Sequence, residues 1–262
     1  VLFLYNFKPL AELTNRLLKH KPESLESYDD HTLKFAISHI PDFIKLLKGN
    51  IITLAFQFLP EFLMFLKGGL KLPKLVVLAE FTGNSEQEIY QKAQAAQKDC
   101  SEFKLQMRIA RSDKEELKYL TVRRQSFNLL RHHVKGKRTA PFIDDLIVPP
   151  KTLPEFLPKL QYILAKYPNL VYTIAGHVGD GNFHIIPLMN LKKEENRTLI
   201  PSLMEQVHKL VFSYGGSMTA EHNDGMIRTP FLDDMFGKEV VELFTKTKQT
   251  FDPLGIFNPG KK

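Results

Sequence analysis

Apolar positions along this chain change period from segment to segment, and the changes divide it into elements. Val1 to Phe7 (VLFLYNF) is a continuous apolar run of strand length, and Lys8 to His20 carries a helical pattern that stops near Lys21-Pro22. Asp29-Asp30 precede an amphipathic run from His31 to Leu47, closed by Gly49-Asn50. Ile51 to Leu66 is the most apolar stretch. It is interrupted by Pro60 and Glu61 and is too short to span a bilayer. It reads as a helix pair packed on the body of the protein, or as an apolar helix touching a membrane surface beside Lys48, Lys67, Lys71 and Lys74. Leu75 to Thr82, Phe103 to Ile109 and Ile143 to Val148 read as strands. Three Ser/Thr-x-x-Glu boxes, Ser85/Glu88, Ser112/Glu115 and Thr152/Glu155, open helices that run to about Cys100, Leu130 and Lys166. Val171 to Ile174 and Ile185 to Leu188 flank a Gly-rich turn. A helix over about Lys193 to Tyr214, a turn at Gly215-Gly216 and helical pieces to about Thr250 complete the pattern.

Strands alternate with helices, and several strands alternate apolar with polar positions. The expected fold is α+β: a mostly antiparallel sheet with helices packed against it. Two β-α-β stretches are candidates for related halves. The 262 residues suffice for a sizeable core, and 43% hydrophobic with 25% charged is ordinary for a globular chain. A single cysteine, Cys100, excludes an internal disulfide and suits a reducing compartment. It reads as structural. The net charge of +7 is concentrated between Thr121 and Ala140, where Arg123, Arg124, Arg131, Lys135, Lys137 and Arg138 occur without an acid. Such a patch attracts anions (carboxylates, phosphates, a nucleic acid or an acidic lipid surface) or is a solvated basic loop; the motifs further along the chain make a small acid, and no nucleic acid, the expected partner. There is no Walker loop, no Gly-x-Gly-x-x-Gly and no Gly-x-Ser-x-Gly. A start inside a strand suggests that something upstream is missing.

The chemistry centres on Gly176-His177-Val178-Gly179-Asp180-Gly181-Asn182-Phe183-His184. If Asp180-Gly181 form a two-residue turn, His177 lies opposite His184 on the same sheet face, with Cβ atoms roughly 5 Å apart. Two imidazoles at that distance are half of a metal site or a surface pair. Glu221, next to His222, is the best third ligand. Two imidazoles and a carboxylate suit Zn2+ or a similar divalent ion and leave a position open. Imidazole titrates near neutrality, so His222 fits a general base. The arginines would clamp a carboxylate through two hydrogen bonds. These parts describe a site for a hydroxy acid. The Cα hydrogen would have to leave as hydride, and no side chain here accepts one.

Three separated motifs resemble one family. Gly-His-x-Gly-Asp-Gly-Asn-x-His, then Ala220-Glu221-His222, then Asp252-Pro253 with Asn258-Pro259-Gly260-Lys261 resemble the C-terminal domain of FAD-linked oxidases. That group holds D-lactate dehydrogenases, the glycolate oxidase large subunit and D-2-hydroxyglutarate dehydrogenase. Arg123-Arg124 and Pro141 to Pro149 are similar to it as well. The resemblance implies that residues 1–262 form the substrate-binding cap of a two-domain flavoenzyme, with an apolar helical insertion at about 37–72. It implies an N-terminal FAD-binding domain absent from this chain, and FAD as cofactor. By matching position, His177, His184 and Glu221 would be metal ligands, His222 the base and Arg123 the carboxylate clamp. Asn258 would lie in the tail that approaches the flavin. The substrate would be a small anionic 2-hydroxy acid of the D-lactate or glycolate type. Electrons would pass to a quinone or iron–sulfur partner, in the cytoplasm or at the inner face of the cell membrane. A non-catalytic subunit of the same fold and a zinc-dependent hydrolase are the alternatives. Three positions depart from the family pattern: Ile186 where some relatives carry Asn, Ile143 where they carry Lys, and Asn223 where Gly is usual.

Overall fold

The computed structural model describes residues 1–38, 59, 63, 71–133 and 136–261, without the side chains of 125–133. The apolar insertion and the run beyond Ser38 therefore lie almost wholly outside the described residues, as does much of the basic stretch. No helix among the described residues is long and apolar enough to cross a membrane.

Among the described residues the sheet has eight strands, and all their pairings are antiparallel. The first half runs β1 (Leu2–Leu4), α1 (Leu10–Lys19), β2 (Ser24–Asp29), β3 (Leu75–Glu80), α3 (Glu86–Asp99) and β4 (Gln106–Met107). Its spatial order is β4-β1-β3-β2, the split β-α-β arrangement of ferredoxin-like units. The second half contains β5 (Arg138–Thr139), β6 (Leu146–Ile147), α5 (Leu153–Ala165), β7 (Val171–Gly176), β8 (Asn182–Met189) and α6 (Glu194–Ser213). β8 lies between β7 and β6, and Ser217 bridges the far side of β6. The second half thus repeats the order of the first. The halves meet where β2 pairs with β7, Ser27 opposite Gly176 and Tyr28 opposite Ala175. The suspected related halves are real as topology.

Helices α1, α3, α5 and α6 cover one face. Leu4, Leu13, Val77, Leu160, Phe183, Ile185 and Val207 pack between sheet and helices with almost no exposure. Each such side chain contributes about 1.5–3 kcal/mol of burial. Two further helices, α2 (Asp30–Ser38) and α4 (Asp113–His133), lie against part of the other face over Phe3, Tyr28, Val76 and Leu78. Cys100 is a buried free thiol, pushed up to about 11 mainly by burial; the structural reading holds.

Several boundaries differ from the sequence expectation. β2 was not legible, because polar residues occur on both its faces: Glu26 faces the open side, and Ser27 and Asp29 are buried at positions alternating with it on the side of Leu25. The strand expected over Phe103 to Ile109 is only β4, since a 3-10 turn at Ser101–Phe103 and a left-handed Lys104 (φ 52°) interrupt it. β6 begins late because Asp145 takes φ 67°. Ser85 and Ser112 accept the N–H groups of Glu88 and Glu115 at 3.2 and 3.3 Å, as capping requires. Thr152 does not cap. Pro149-Pro150 start a 3-10 turn that already places it in the helical region, and its hydroxyl donates to the Pro149 carbonyl.

His208 on α6 is buried against Phe212 and Phe231. Burial, helped by the Arg228 charge, pushes its imidazole down to about 4. The histidine is neutral when folded and charges near pH 6.5 when unfolded. Its stabilising contribution is complete above about pH 6.5 and is lost as pH falls toward 4, about 3 kcal/mol at most. Urea unfolding at pH 7.5 and pH 5 should show this loss, and His208→Leu should remove that part of the slope.

Candidate metal and substrate site

The β7–β8 hairpin is wider than a two-residue turn. Ala175, not His177, lies opposite His184, and the Asn182 and Asp180 N–H groups both donate to the His177 carbonyl at 3.2 and 3.0 Å. The register is therefore shifted by two residues from the expected one. A shift of two preserves the face, so both histidines still point to the open side, as diagonal neighbours with ring centroids 5.7 Å apart. Two glycines permit the wider turn. A Cβ on Gly176 would sit 2.3 Å from the Asn182 carbonyl oxygen. Gly181 has φ +77° and would place a Cβ 2.0 Å from the Val148 carbonyl oxygen.

Glu221 and His222 arrive from a distant loop, and one carboxylate places them. Asp145 is fully buried. It accepts the N–H groups of Ala220, Glu221 and His222 at 2.8, 3.0 and 2.8 Å, and the Thr219 hydroxyl at 2.9 Å. The Asn182 side-chain amide donates to it at 3.2 Å, which ties the same carboxylate to the hairpin. Burial works against its charge, but these donors outweigh burial and hold the carboxyl below its ordinary range. Arg228, in the short helix α7 (Gly225–Arg228), donates to the carbonyls of Asp144 and Asn223, both at 2.8 Å, and staples the two loops. Asn223 takes φ 63°. Asn tolerates that left-handed geometry better than other side chains bearing a Cβ, so the departure from Gly keeps the turn.

The gathered groups form a compact cluster. His177 Nε2 lies 2.9 Å from Glu221 Oε1, and His184 Nε2 lies 4.0 Å from the same oxygen. One ligand atom from each of these three residues falls within 4.8 Å of the others. Asp144 contacts Nδ1 of His184 at 3.1 Å and Nδ1 of His222 at 3.3 Å. The two rings stack with centroids 5.2 Å apart. With Nδ1–H directed to Asp144, each ring keeps Nε2 for chemistry, the usual outer-shell arrangement around metal-binding histidines. Burial opposes charge on His184, but Asp144, Glu221 and Asp145 together leave its imidazole raised. A donor set of two imidazoles and one carboxylate, with a second carboxylate fixing the tautomer, fits a divalent ion.

Arg123, on α4, reaches the cluster indirectly. It pairs with Glu26 Oε2 at 2.7 Å, and Glu26 Oε1 contacts His177 Nδ1 at 3.0 Å. Arg123 Nε is buried without a hydrogen-bond partner among the described residues. Asn258 stands apart, in the tail after α8 (Leu232–Phe236) and α9 (Lys238–Phe251). Asp252 caps that tail by accepting the Ile256 and Phe257 N–H groups, and Asn258 (φ 47°) accepts from Lys261 N–H at 3.1 Å. No hydrogen bond among the described residues joins Asn258 to the histidine cluster. Ile143 is wholly buried in the core, and Ile186 follows His184 on the open face. Sequence reasoning missed the roles of Glu26, Asp144, Asp145 and Arg228. The paired aspartates had a signal, Asp-Asp shortly before Pro149, whereas Glu26 had none.

Fold and site together define an α+β domain whose open sheet face gathers imidazoles, carboxylates and an arginine. The chain belongs to the family of FAD linked oxidases, C-terminal domain, whose model matches residues 1–262. It is 29% identical over 253 residues to a D-2-hydroxyglutarate dehydrogenase of Pseudomonas putida, a match covering 94% of this chain and 23% of that protein. It is 29% identical to the glycolate oxidase subunit GlcD of Bacillus subtilis, covering 45% of this chain and 25% of that protein. It is 30% identical to a probable mitochondrial D-lactate dehydrogenase of Danio rerio, covering 45% and 23%. Each match thus covers only about a quarter of the relative's own length. Among solved structures, an alkyldihydroxyacetonephosphate synthase matches all of this chain and 44% of its own, with a TM-score of 0.54 and 13% identity. That likeness supports the fold.

Asp145→Ala should cost about 3–5 kcal/mol, because it strands several buried donors. The contribution of the native carboxylate is present above the ordinary carboxylate range and is lost as pH falls through its depressed folded value. Chemical denaturation of both proteins at pH 7 measures the difference.

Proposed function

We propose that this chain is the substrate-binding part of an FAD-dependent dehydrogenase that oxidises a small 2-hydroxy acid to the 2-oxo acid. The observation that carries the reading is the convergence of His177, His184 and Glu221 with His222 and Asp144 beside them. It is supported by membership of the FAD linked oxidase family and by relatives named as dehydrogenases of 2-hydroxyglutarate and D-lactate.

His177, His184 and Glu221 would hold a divalent ion, which supplies Lewis-acid polarisation of a hydroxyl oxygen. Arg123 binds the substrate carboxylate by charge-assisted hydrogen bonds. His222 takes the hydroxyl proton at Nε2, while Asp144 at Nδ1 orients the ring and stabilises the imidazolium that forms. As that proton leaves, the Cα–H electron pair departs with its hydrogen as hydride and the C–O bond becomes a carbonyl. FAD, bound mainly outside this chain, supplies the two-electron acceptor. Reduced FAD would need an electron acceptor outside this chain, a quinone or an iron–sulfur partner. Ile186, on the open face two residues after His184, offers no polar group for a distal carboxylate, which favours a D-lactate- or glycolate-like acid over a dicarboxylate. Chain ends that contact FAD, with Asn258 among them, belong to the same reading.

In the full-length enzyme, His222→Ala should lower kcat by about 10²- to 10⁴-fold with flavin content unchanged; retained turnover rejects His222 as base. Arg123→Met should raise KM for the hydroxy acid by about 10- to 150-fold. His177→Ala should lose the bound ion in elemental analysis, and unchanged metal content rejects the ligand set.

A further inference from the structure

Glu26 is a carboxylate in the middle of a central strand, a costly position unless its charge is met. It lies opposite Leu78 on β3, and its side chain is only 14% exposed. Its two oxygens serve different residues. Oε1 contacts His177 Nδ1 at 3.0 Å, and Oε2 pairs with Arg123 at 2.7 Å. His177 is thereby fixed with Nδ1 toward Glu26 and Nε2 toward Glu221, 2.9 Å away. Asp144 does the same for His184 from the second half of the sheet. Each of the two hairpin histidines thus has a carboxylate behind its Nδ1, one from each half. A carboxylate whose only role was to dock α4 onto the sheet would need Arg123 and nothing else.

We infer that Glu26 is a positioning residue that joins the anion clamp to the metal ligand. It sets the ring orientation and basicity of His177 and holds the Arg123 guanidinium beside the cluster. The inference rests on the reading of His177 as a ligand given above. Two consequences separate it from a structural ion pair. Loss of the Glu26 charge weakens divalent-ion binding, typically by 10- to 100-fold for such outer-shell partners, and it also raises KM for the hydroxy acid. Loss of Arg123 raises KM while leaving ion affinity nearly unchanged, because Glu26 still faces His177.

The test uses full-length protein, with Zn2+ affinity measured by competition against a chromophoric chelator. Wild type, Glu26→Gln, Arg123→Met and His177→Ala are compared, alongside thermal unfolding of each. The expected result is a 10- to 100-fold weaker Zn2+ affinity for Glu26→Gln, nearly native affinity for Arg123→Met, and no measurable site in His177→Ala. If His177→Ala loses zinc while Glu26→Gln binds it as tightly as wild type, the Glu26 role is overturned and the proposed function stands. If His177→Ala binds zinc normally, the ligand reading itself fails and takes this inference with it. Should Glu26→Gln fail to fold, imidazole 15N resonances of zinc-loaded wild type decide. A protonated Nδ1 and zinc-bound Nε2 on His177 support the role, and zinc on Nδ1 overturns it.

Discussion

The buried carboxylate of Asp145 takes hydrogen bonds from three consecutive backbone N–H groups, at Ala220, Glu221 and His222, and from the Thr219 hydroxyl and the Asn182 amide. Everything at the site depends on that clasp. Glu221 and His222 lie in a loop without regular structure of its own, so their approach to the hairpin must be enforced from outside. A fixed anion surrounded by N–H donors does this without an apolar contact. The same carboxylate grips Asn182 at the root of β8, so hairpin and loop share one anchor. Arg228 then ties the carbonyls on either side of the clasp, and Asp144, the next residue back, orients two of the imidazoles.

The sheet supplies the other constraint. Two half-sheets of matching order join edge to edge at β2 and β7. The join brings Glu26 from the first half within reach of His177 from the second. Helices fill one face with apolar side chains, while part of the other is left for polar groups. The two carboxylates set into the polar face are matched: Glu26 by Arg123 and His177, Asp144 by His184 and His222. Most of the buried apolar side chains of this domain lie on the helix-covered face, and the imidazole–carboxylate cluster on the open one.

How legible this was varied with the kind of signal. Strands whose both faces are apolar, such as β3, and helices opened by Ser85 and Ser112 could be read from residue types alone. The hairpin could be placed but not its register, since Asp-Gly favours a two-residue turn while the close approach of Gly176 to Asn182 selects a wider one. The error was harmless to the site because the slip was even. β2 was illegible because Glu26, Ser27 and Asp29 break its apolar pattern on both faces. Glu26 and Arg123 lie far apart in sequence and meet only through the fold, so no spacing pattern announces them. His177, His184, Glu221 and His222 could be named as candidates from residue types alone, and the resemblance to the family motifs grouped them as one set. Asp145 escaped notice as the organiser because its partners are backbone groups, which leave no mark on residue identity.

The central claim is that the Asp145 clasp and the hairpin together assemble a divalent-ion site from His177, His184 and Glu221. Anomalous diffraction at the zinc edge, on crystals of the zinc-loaded protein, tests it most directly. The account predicts one strong peak about 2.0–2.2 Å from His177 Nε2, His184 Nε2 and a Glu221 carboxylate oxygen. A peak bound instead by Asp144 and His222, or no peak between the two hairpin histidines, would contradict it.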